Sequence, residues 1–399
     1  MAALLDSARD VAARVLGDAS LATFGRDAVK PVVDYSVKSF FLWGEFFSAS
    51  PAAFTAGVML LAANACYQMN VWTRWWSGVD RCWSVLPPLY ALAFALAPAS
   101  PALIAALPQW LAPTGGGAAG AVDPRLALMA ALVTLWGARL TRNFARKGGY
   151  SAGAESEDYR WPVLRGWIDR LGPGLLHDVA EQAFSLLFVA YYQQVLIWLF
   201  VVPPLYVAQY YGGDGKAPLG ARDALLGAAF LALLALESWA DETQWAFQQA
   251  KHAMAPAERA RAGGDFARGF CTQGPFAISR HLNFFAEQSM WVVFYLFSWA
   301  AGAPALNWSG LGALLLIGLF QGSTWMTELL TAQRYPMYAA YQRTTSRLLP
   351  WVPGPSLDSA EGKLIARGAV AAAEAAAPAA PKGAAAGKRR QSVSGGKRE

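Results

Sequence analysis

The chain has 399 residues, 55% of them hydrophobic and 15% charged, with 17 Trp and a formal net charge of +6. An average soluble domain is about a quarter charged, so these proportions exclude an ordinary soluble globular protein of this length. The basic excess is spread over several loops, which speaks against a nucleic-acid partner, and Cys66, Cys82 and Cys271 lack the paired spacing of a disulfide framework or a zinc site.

Residues 1–50 open the chain with a mildly amphipathic stretch that reads as a lumenal or interfacial segment. Its Asp6, Asp10 and Asp18 argue against a mitochondrial transit peptide, and no cleavable signal peptide is evident. From residue 51 to 355 the pattern is that of one transmembrane domain. Apolar stretches of about 20 residues, enough to cross the hydrocarbon core, recur at roughly 52–70, 83–107, 125–142, 183–207, 221–246, 285–301 and 309–330. The expected fold is therefore all-α, a polytopic membrane helical bundle of about seven transmembrane helices. Pro87, Pro88 and Pro98 in the second stretch, and Pro203 and Pro204 in the fourth, predict kinks or breaks. The Ala-, Pro-, Gly-, Lys- and Arg-rich end, a tail over 356–399 and disordered from Val370 on, reads as a basic cytosolic extension, with Arg389, Arg390 and Ser392 resembling a basophilic kinase site.

Orientation follows from the basic residues. Arg74 and Arg81 follow the first stretch, Arg146, Lys147, Arg160, Arg165 and Arg170 the third, and Lys251, Arg259, Arg261, Arg268 and Arg280 the fifth. Those loops belong on the cytosolic side, which leaves the amino terminus lumenal and the carboxyl terminus cytosolic.

Ionisable residues within spanning helices mark function more often than they do in soluble proteins. Glu237, Asp241, Gln244, Gln248 and Lys251 recur at steps of four and three, so they share one helix face. That stripe suits a binding site, or an interhelical hydrogen-bonded seam without chemistry. Arg139, Arg142 and Arg146 share a face at the end of the third stretch, with Asn143 beside it, where they can meet nucleotide phosphates or snorkel to headgroups. Glu157, Asp158, Tyr159, Arg160 and Trp161 form a mixed cluster in the next loop. Entering the sixth stretch, Arg280, Asn283 and Glu287 are spaced to share a helix face, with His281 among them. Glu328, Tyr335, Tyr338 and Tyr341 close the same pocket or form an interfacial aromatic belt. No metal site is indicated.

In their order along the chain, Asp80-x-x-Trp83, Leu135-Trp136-Gly137-x-Arg139-Leu140-x-x-Asn143, Glu157-Asp158-x-Arg160-Trp161, Glu237-x-x-x-Asp241, Ser279-Arg280-His281 to Glu287, and Tyr335-Pro336-x-Tyr338-x-x-Tyr341 resemble the steroid 5-alpha-reductase-like membrane reductases. The similarity covers roughly residues 55–352 and is strongest to the bacterial-type branch, domain of unknown function 1295. The resemblance implies an endoplasmic-reticulum enzyme that uses NADPH to reduce an activated C=C bond, as in a 3-oxo-4-ene steroid or another lipid. It implies cofactor contacts from Arg139, Asn143, Arg146, Asp158, Arg160, Glu237, Asp241, Arg280, His281, Asn283, Glu287 and Tyr338. The proton donor is left open between Asp80 and Tyr67. Where that family reads Arg-His-Pro-Asn-Tyr-Phe-Gly-Glu, this chain has Leu282, Phe284 and Ala286 in place of Pro, Tyr and Gly. Two other readings stand beside the reductase: an S-adenosylmethionine-dependent lipid or prenyl-cysteine methyltransferase, and a non-catalytic scaffold or lipid-binding relative.

Overall fold

The computed structural model describes residues 51–97, 122–151, 157–211 and 218–376, and among them every regular element is a helix. In chain order these are α1 (Pro51–Thr73), a 3-10 turn (Trp76–Arg81), α2 (Cys82–Leu96), α3 (Pro124–Arg146), α4 (Arg160–Ile168), α5 (Leu175–Phe200) and α6 (Pro203–Tyr211). There follow α7 (Ala221–Ala253), α8 (Pro256–Ala262), α9 (Gly264–Arg268), α10 (Leu282–Ala300), α11 (Leu311–Arg334), α12 (Tyr338–Thr344) and α13 (Ala360–Ala376). The described part of each of the seven apolar stretches is largely helical, the fourth being divided between α5 and α6. Among the described residues four helices, α1, α5, α7 and α11, are long and apolar enough to cross a membrane. Each of the four turns a leucine outward, Leu61, Leu187, Leu225 and Leu314, all more than 60% exposed. A surface of that kind suits hydrocarbon, where backbone groups are satisfied within the helix.

The boundaries differ from the sequence expectation in two places. The fourth stretch, expected over 183–207 with a kink or break at Pro203 and Pro204, is helical already from Leu175 and carries a nine-residue π-helical segment at Phe184–Tyr192; the expected break is present, the helix stopping at Phe200 and Pro203 and Pro204 opening α6. Proline lacks an N–H to continue a helix but fits its first turn, so the break falls where the two prolines stand. The tail expected to be disordered, within 356–399 and from Val370 on, is ordered at its start: Asp358 pairs with Arg268 at 2.6 Å and α13 runs from Ala360 to Ala376. Alanine has the best intrinsic helix propensity, and the Ala-rich run simply extends the helix. Residues 1–50, the part of the second stretch from Pro98 on, the sequence Gly115-Gly116-Gly117, and Arg389, Arg390 and Ser392 lie outside the described residues.

The described chain divides into two compact units. The first takes the chain up to Ala246 together with His281–Glu328; the second takes Phe247–Arg280 and the chain from Leu329 on. In the first unit, α3 starts on Asp123, whose carboxylate accepts from Arg125 N at 2.8 Å, with Pro124 in the first turn. The Arg125 guanidinium is itself buried against Asp223 of α7, at 2.7 and 3.0 Å. Arg139 on α3 then meets Glu237 on α7. Both pairs are separated by 14 residues on each helix, so α3 and α7 run parallel and in register, pinned at two points about 21 Å apart.

Between the pins lies the main apolar core. Trp136, Phe200, Trp291 and Phe294 are fully buried there, with Trp291 4.9 Å edge-on to Trp136 and 4.2 Å from Phe200 between ring centroids. Gly137 lets α3 approach α2 closely: a Cβ at this position would lie 2.4 Å from Pro88 Cγ and 2.8 Å from the Ser84 carbonyl oxygen. A smaller cluster of Cys66, Trp76, Val79, Trp161, Val189 and Ala190 joins α1, the 3-10 turn, α4 and the π segment of α5. In the second unit, Phe270 packs against Tyr335, Tyr338 and Tyr341.

Candidate functional site

Six of the residues singled out from sequence meet in one buried network of the first unit. Arg139 donates to Asp241 Oδ2 at 2.7 Å and to Glu237 Oε1 at 2.5 Å. Asn143, one helical turn beyond Arg139 on α3, donates to the same Asp241 oxygen at 2.8 Å, and Asn283 of α10 approaches Asp241 Oδ1 at 3.3 Å. Glu287, one turn after Asn283, accepts from Trp136 Nε1 at 2.8 Å and from Trp291 Nε1 at 2.9 Å. The helical period brings this about: Trp136, Arg139 and Asn143 lie on one stripe of α3, Glu237 and Asp241 on one stripe of α7, and Asn283, Glu287 and Trp291 on one stripe of α10.

Three carboxylates here face one guanidinium, two amides and two indoles, and nearly every polar atom is used. Two are not: the Arg139 Nε donor and the Glu237 Oε2 acceptor are buried without a hydrogen-bond partner. A buried polar group left unpaired costs roughly 1–3 kcal/mol, so a molecule that brought an acceptor to Arg139 and a donor to Glu237 would be favoured. A carboxamide or a sugar hydroxyl does so, and both occur in a nicotinamide nucleotide. Its phosphates need cations, and at the end of α3 these are Arg146, held at 2.5 Å by a half-exposed Glu242, and the exposed Arg142. Exposed ion pairs are worth little, so Arg142 is readily given over to a phosphate, whereas Arg146 is mostly buried, donates through Nε to Asn143 Oδ1 at 3.0 Å and lies 4.9 Å over the Trp245 ring.

Asp80 and Tyr67, the alternative proton donors, belong to the smaller cluster. Asp80, on the 3-10 turn, accepts from Trp161 Nε1 at 3.0 Å, and burial raises its carboxyl pKa to about 6 against the opposing pull of that N–H. Tyr67 packs on the rim of the cluster and donates to Gln182 at 3.2 Å. Asp158 and Arg160 form an ion pair with each other at 2.8 Å; the Asp158 N–H donates to Ser77 Oγ, and Arg160 reaches Ser323 of α11 at 2.7 Å. Their charges act on Asp80, which places them beside it and apart from the Arg139 network.

His281 is bonded through Nε2 to Glu328 of α11 at 3.1 Å, and its ring stacks on Phe284, which in turn meets Phe320 edge-on at 4.9 Å. The expected common face of Arg280, Asn283 and Glu287 does not form. His281 has non-helical backbone angles and precedes the first residue of α10, so Arg280 is not on that helix. In the second unit, the Arg280 guanidinium donates to the carbonyl oxygens of Gln342, at 3.0 Å, and Thr345. Tyr338 and Tyr341 are buried around Phe270 in that unit and form no lipid-facing belt. Lys251, the last member of the predicted stripe on α7, donates to the Gly269 carbonyl oxygen there at 3.1 Å.

Sequence reading passed over Trp136 and Trp291 as donors, although each is spaced a helical turn from a named residue, and passed over Ser323. Glu157, read with its neighbours as suited to sugar hydroxyls or to the arginine face of α3, instead accepts from the Trp76 N–H at 2.9 Å and pairs with Arg165. Among the described residues no group of His, Cys, Asp and Glu is placed to hold a metal ion.

A family model described as "Protein of unknown function (DUF1295)" matches residues 66–345. An uncharacterized protein of Schizosaccharomyces pombe is 34% identical over 320 residues, covering 78% of this chain and 83% of that protein. No solved structure gives a significant match. With more than half its length matched, the chain belongs to the DUF1295 family, within the steroid 5-alpha-reductase-like group.

Proposed function

We propose that the chain is a membrane oxidoreductase that uses NADPH to reduce an activated C=C bond, an enone or a related group, in a steroid or other lipid. The observation that carries this reading is the buried network of Arg139, Asn143, Glu237, Asp241, Asn283 and Glu287 from three helices, with one donor and one acceptor left open. Membership of the 5-alpha-reductase-like group supports it. When bound, NADPH supplies the hydride that adds at the β carbon of the enone. On this reading Glu237 and Arg139 receive amide or hydroxyl groups, Arg146 meets phosphate, and His281 is held in orientation by Glu328. Asp80, protonated over the lower pH range, holds its proton toward the substrate carbonyl oxygen where negative charge develops, with Tyr67 as the alternative donor. The same reading has about seven spanning helices, a bacterial-type branch assignment, a lumenal amino terminus and a cytosolic carboxyl terminus in the endoplasmic reticulum, with substrate entering from the bilayer.

The test is nucleotide binding by the purified full chain. NADPH fluorescence should shift or quench on mixing, and His281→Ala should weaken the effect. Binding of S-adenosylmethionine without NADPH would redirect the assignment to a methyltransferase. The packing of Phe284 on His281 and Phe320, where the resembling family carries a tyrosine, favours a second reading as a non-catalytic lipid-binding relative. Absence of binding by both nucleotides would select it.

A further inference from the structure

Cys66 and Cys82 are 16 residues apart in sequence, one in α1 and the other opening α2, and their spacing matches no cysteine motif. The fold nevertheless brings them into contact. The 3-10 turn Trp76–Arg81 folds the chain back so that the two sulfurs lie 3.9 Å apart, and both thiols are free. Gln194 of α5 donates to Cys66 Sγ at 3.7 Å, and the Cys82 thiol points to the Gly78 carbonyl oxygen at 3.9 Å. Cys66 is buried and Cys82 half-buried, so only Cys82 offers a reagent an approach. Cys82 also packs against both apolar clusters of the first unit.

We propose that Cys66 and Cys82 form a paired-thiol modification site that a low-molecular-weight disulfide, of which oxidised glutathione is the type, converts to an intramolecular disulfide. A disulfide needs its sulfurs at about 2.05 Å, so they must close by roughly 2 Å from their present contact. The Cys82 thiolate attacks one glutathione sulfur, breaking that S–S bond and expelling one glutathione thiolate; the product is a mixed disulfide at Cys82. Cys66, losing its proton, then attacks the Cys82 sulfur and expels the second glutathione. Two electrons leave the protein, the two thiol protons end on two glutathione molecules, and one S–S bond replaces another. The new bond ties α1 to the first residue of α2, directly after the turn that carries Asp80. Any effect on reduction rests on the reading under Proposed function, but formation of the bond does not.

The experiment uses the wild-type full chain in lipid nanodiscs, so no variant has to fold. It is incubated with oxidised glutathione, denatured, blocked with N-ethylmaleimide and digested for mass spectrometry. The expected result is a Cys66–Cys82 linked peptide pair, lighter by two hydrogen atoms than the separate peptides, rising from trace to the majority of chains and lost on treatment with dithiothreitol. Recovery of both cysteines in alkylated form overturns the proposal. So does arrest at the mixed disulfide, with glutathione on Cys82 and maleimide on Cys66. The readout does not involve NADPH, so its failure and that of the reductase reading are separate.

Discussion

The indole N–H of Trp136 donates to Glu287 Oε2 at 2.8 Å, and this bond joins α3 to α10. Trp291 takes the other carboxylate oxygen from within α10. Trp136→Phe keeps most of the ring packing but leaves Glu287 short of a donor in a dry setting. The expected loss is about 1–3 kcal/mol, read as a lower thermal midpoint. An unchanged midpoint would mean that Glu287 is held by other groups.

Arg139 is the single guanidinium between Glu237 and Asp241. Replacing it by Met leaves two buried carboxylates facing each other, and breaking a buried pair in this way costs on the order of 3–5 kcal/mol. Arg139→Met is therefore expected to lower stability sharply, and Arg139→Met with Glu237→Leu to recover part of the loss. Thermal unfolding of the purified variants checks both. If Arg139 and Glu237 together contact nucleotide, the partly restabilised double variant still fails to bind NADPH.

Asp80 sets a pH dependence whose sign follows from its raised pKa. The folded chain holds the Asp80 proton more tightly than the unfolded chain does, because burial disfavours the carboxylate. The resulting stabilisation is complete below the ordinary carboxyl value of 3.8 and is lost as pH rises through about 6. Asp80→Asn, which cannot ionise, should show a flatter stability profile across that window. With a 3-oxo-4-ene steroid as probe substrate, NADPH oxidation by the wild type should fall as pH rises through about 6, and the variant should lack that limb. Identical profiles for the two would remove Asp80 as the donor.

Gly137 is a packing requirement between α2 and α3. A methyl group there meets the Ser84 carbonyl oxygen, which is backbone and cannot swing away, as well as the Pro88 ring. Gly137→Ala is expected to destabilise by about 1–3 kcal/mol despite alanine's better helix propensity. Gly227, in α7 with open space around its Cβ position, serves as the control; Gly227→Ala should be neutral or stabilising.

Much of this site was legible because a helix converts a sequence step of three or four into a shared face. The stripes Arg139/Asn143, Glu237/Asp241 and Asn283/Glu287 were each visible in that way, and each is used as a unit in the network. Arg280 shows where the method stops. Its spacing to Asn283 and Glu287 suits the same face, yet α10 begins only at Leu282, because backbone angles at His281 depart from helical values. Proline explains the other boundary, at Pro203, where a missing N–H ended a helix that hydropathy alone would have continued.

From sequence alone came the all-helical membrane character, the apolar segments and the polar faces, since these depend on composition and on a period set by local backbone geometry. Only tertiary structure decided which faces meet. It paired α3 with α7 in register, separated Asp80, Asp158 and Arg160 from the Arg139 network, and brought Cys66 to Cys82. Those outcomes depend on contacts between residues 16 to 150 or so positions apart, which helical periodicity does not encode.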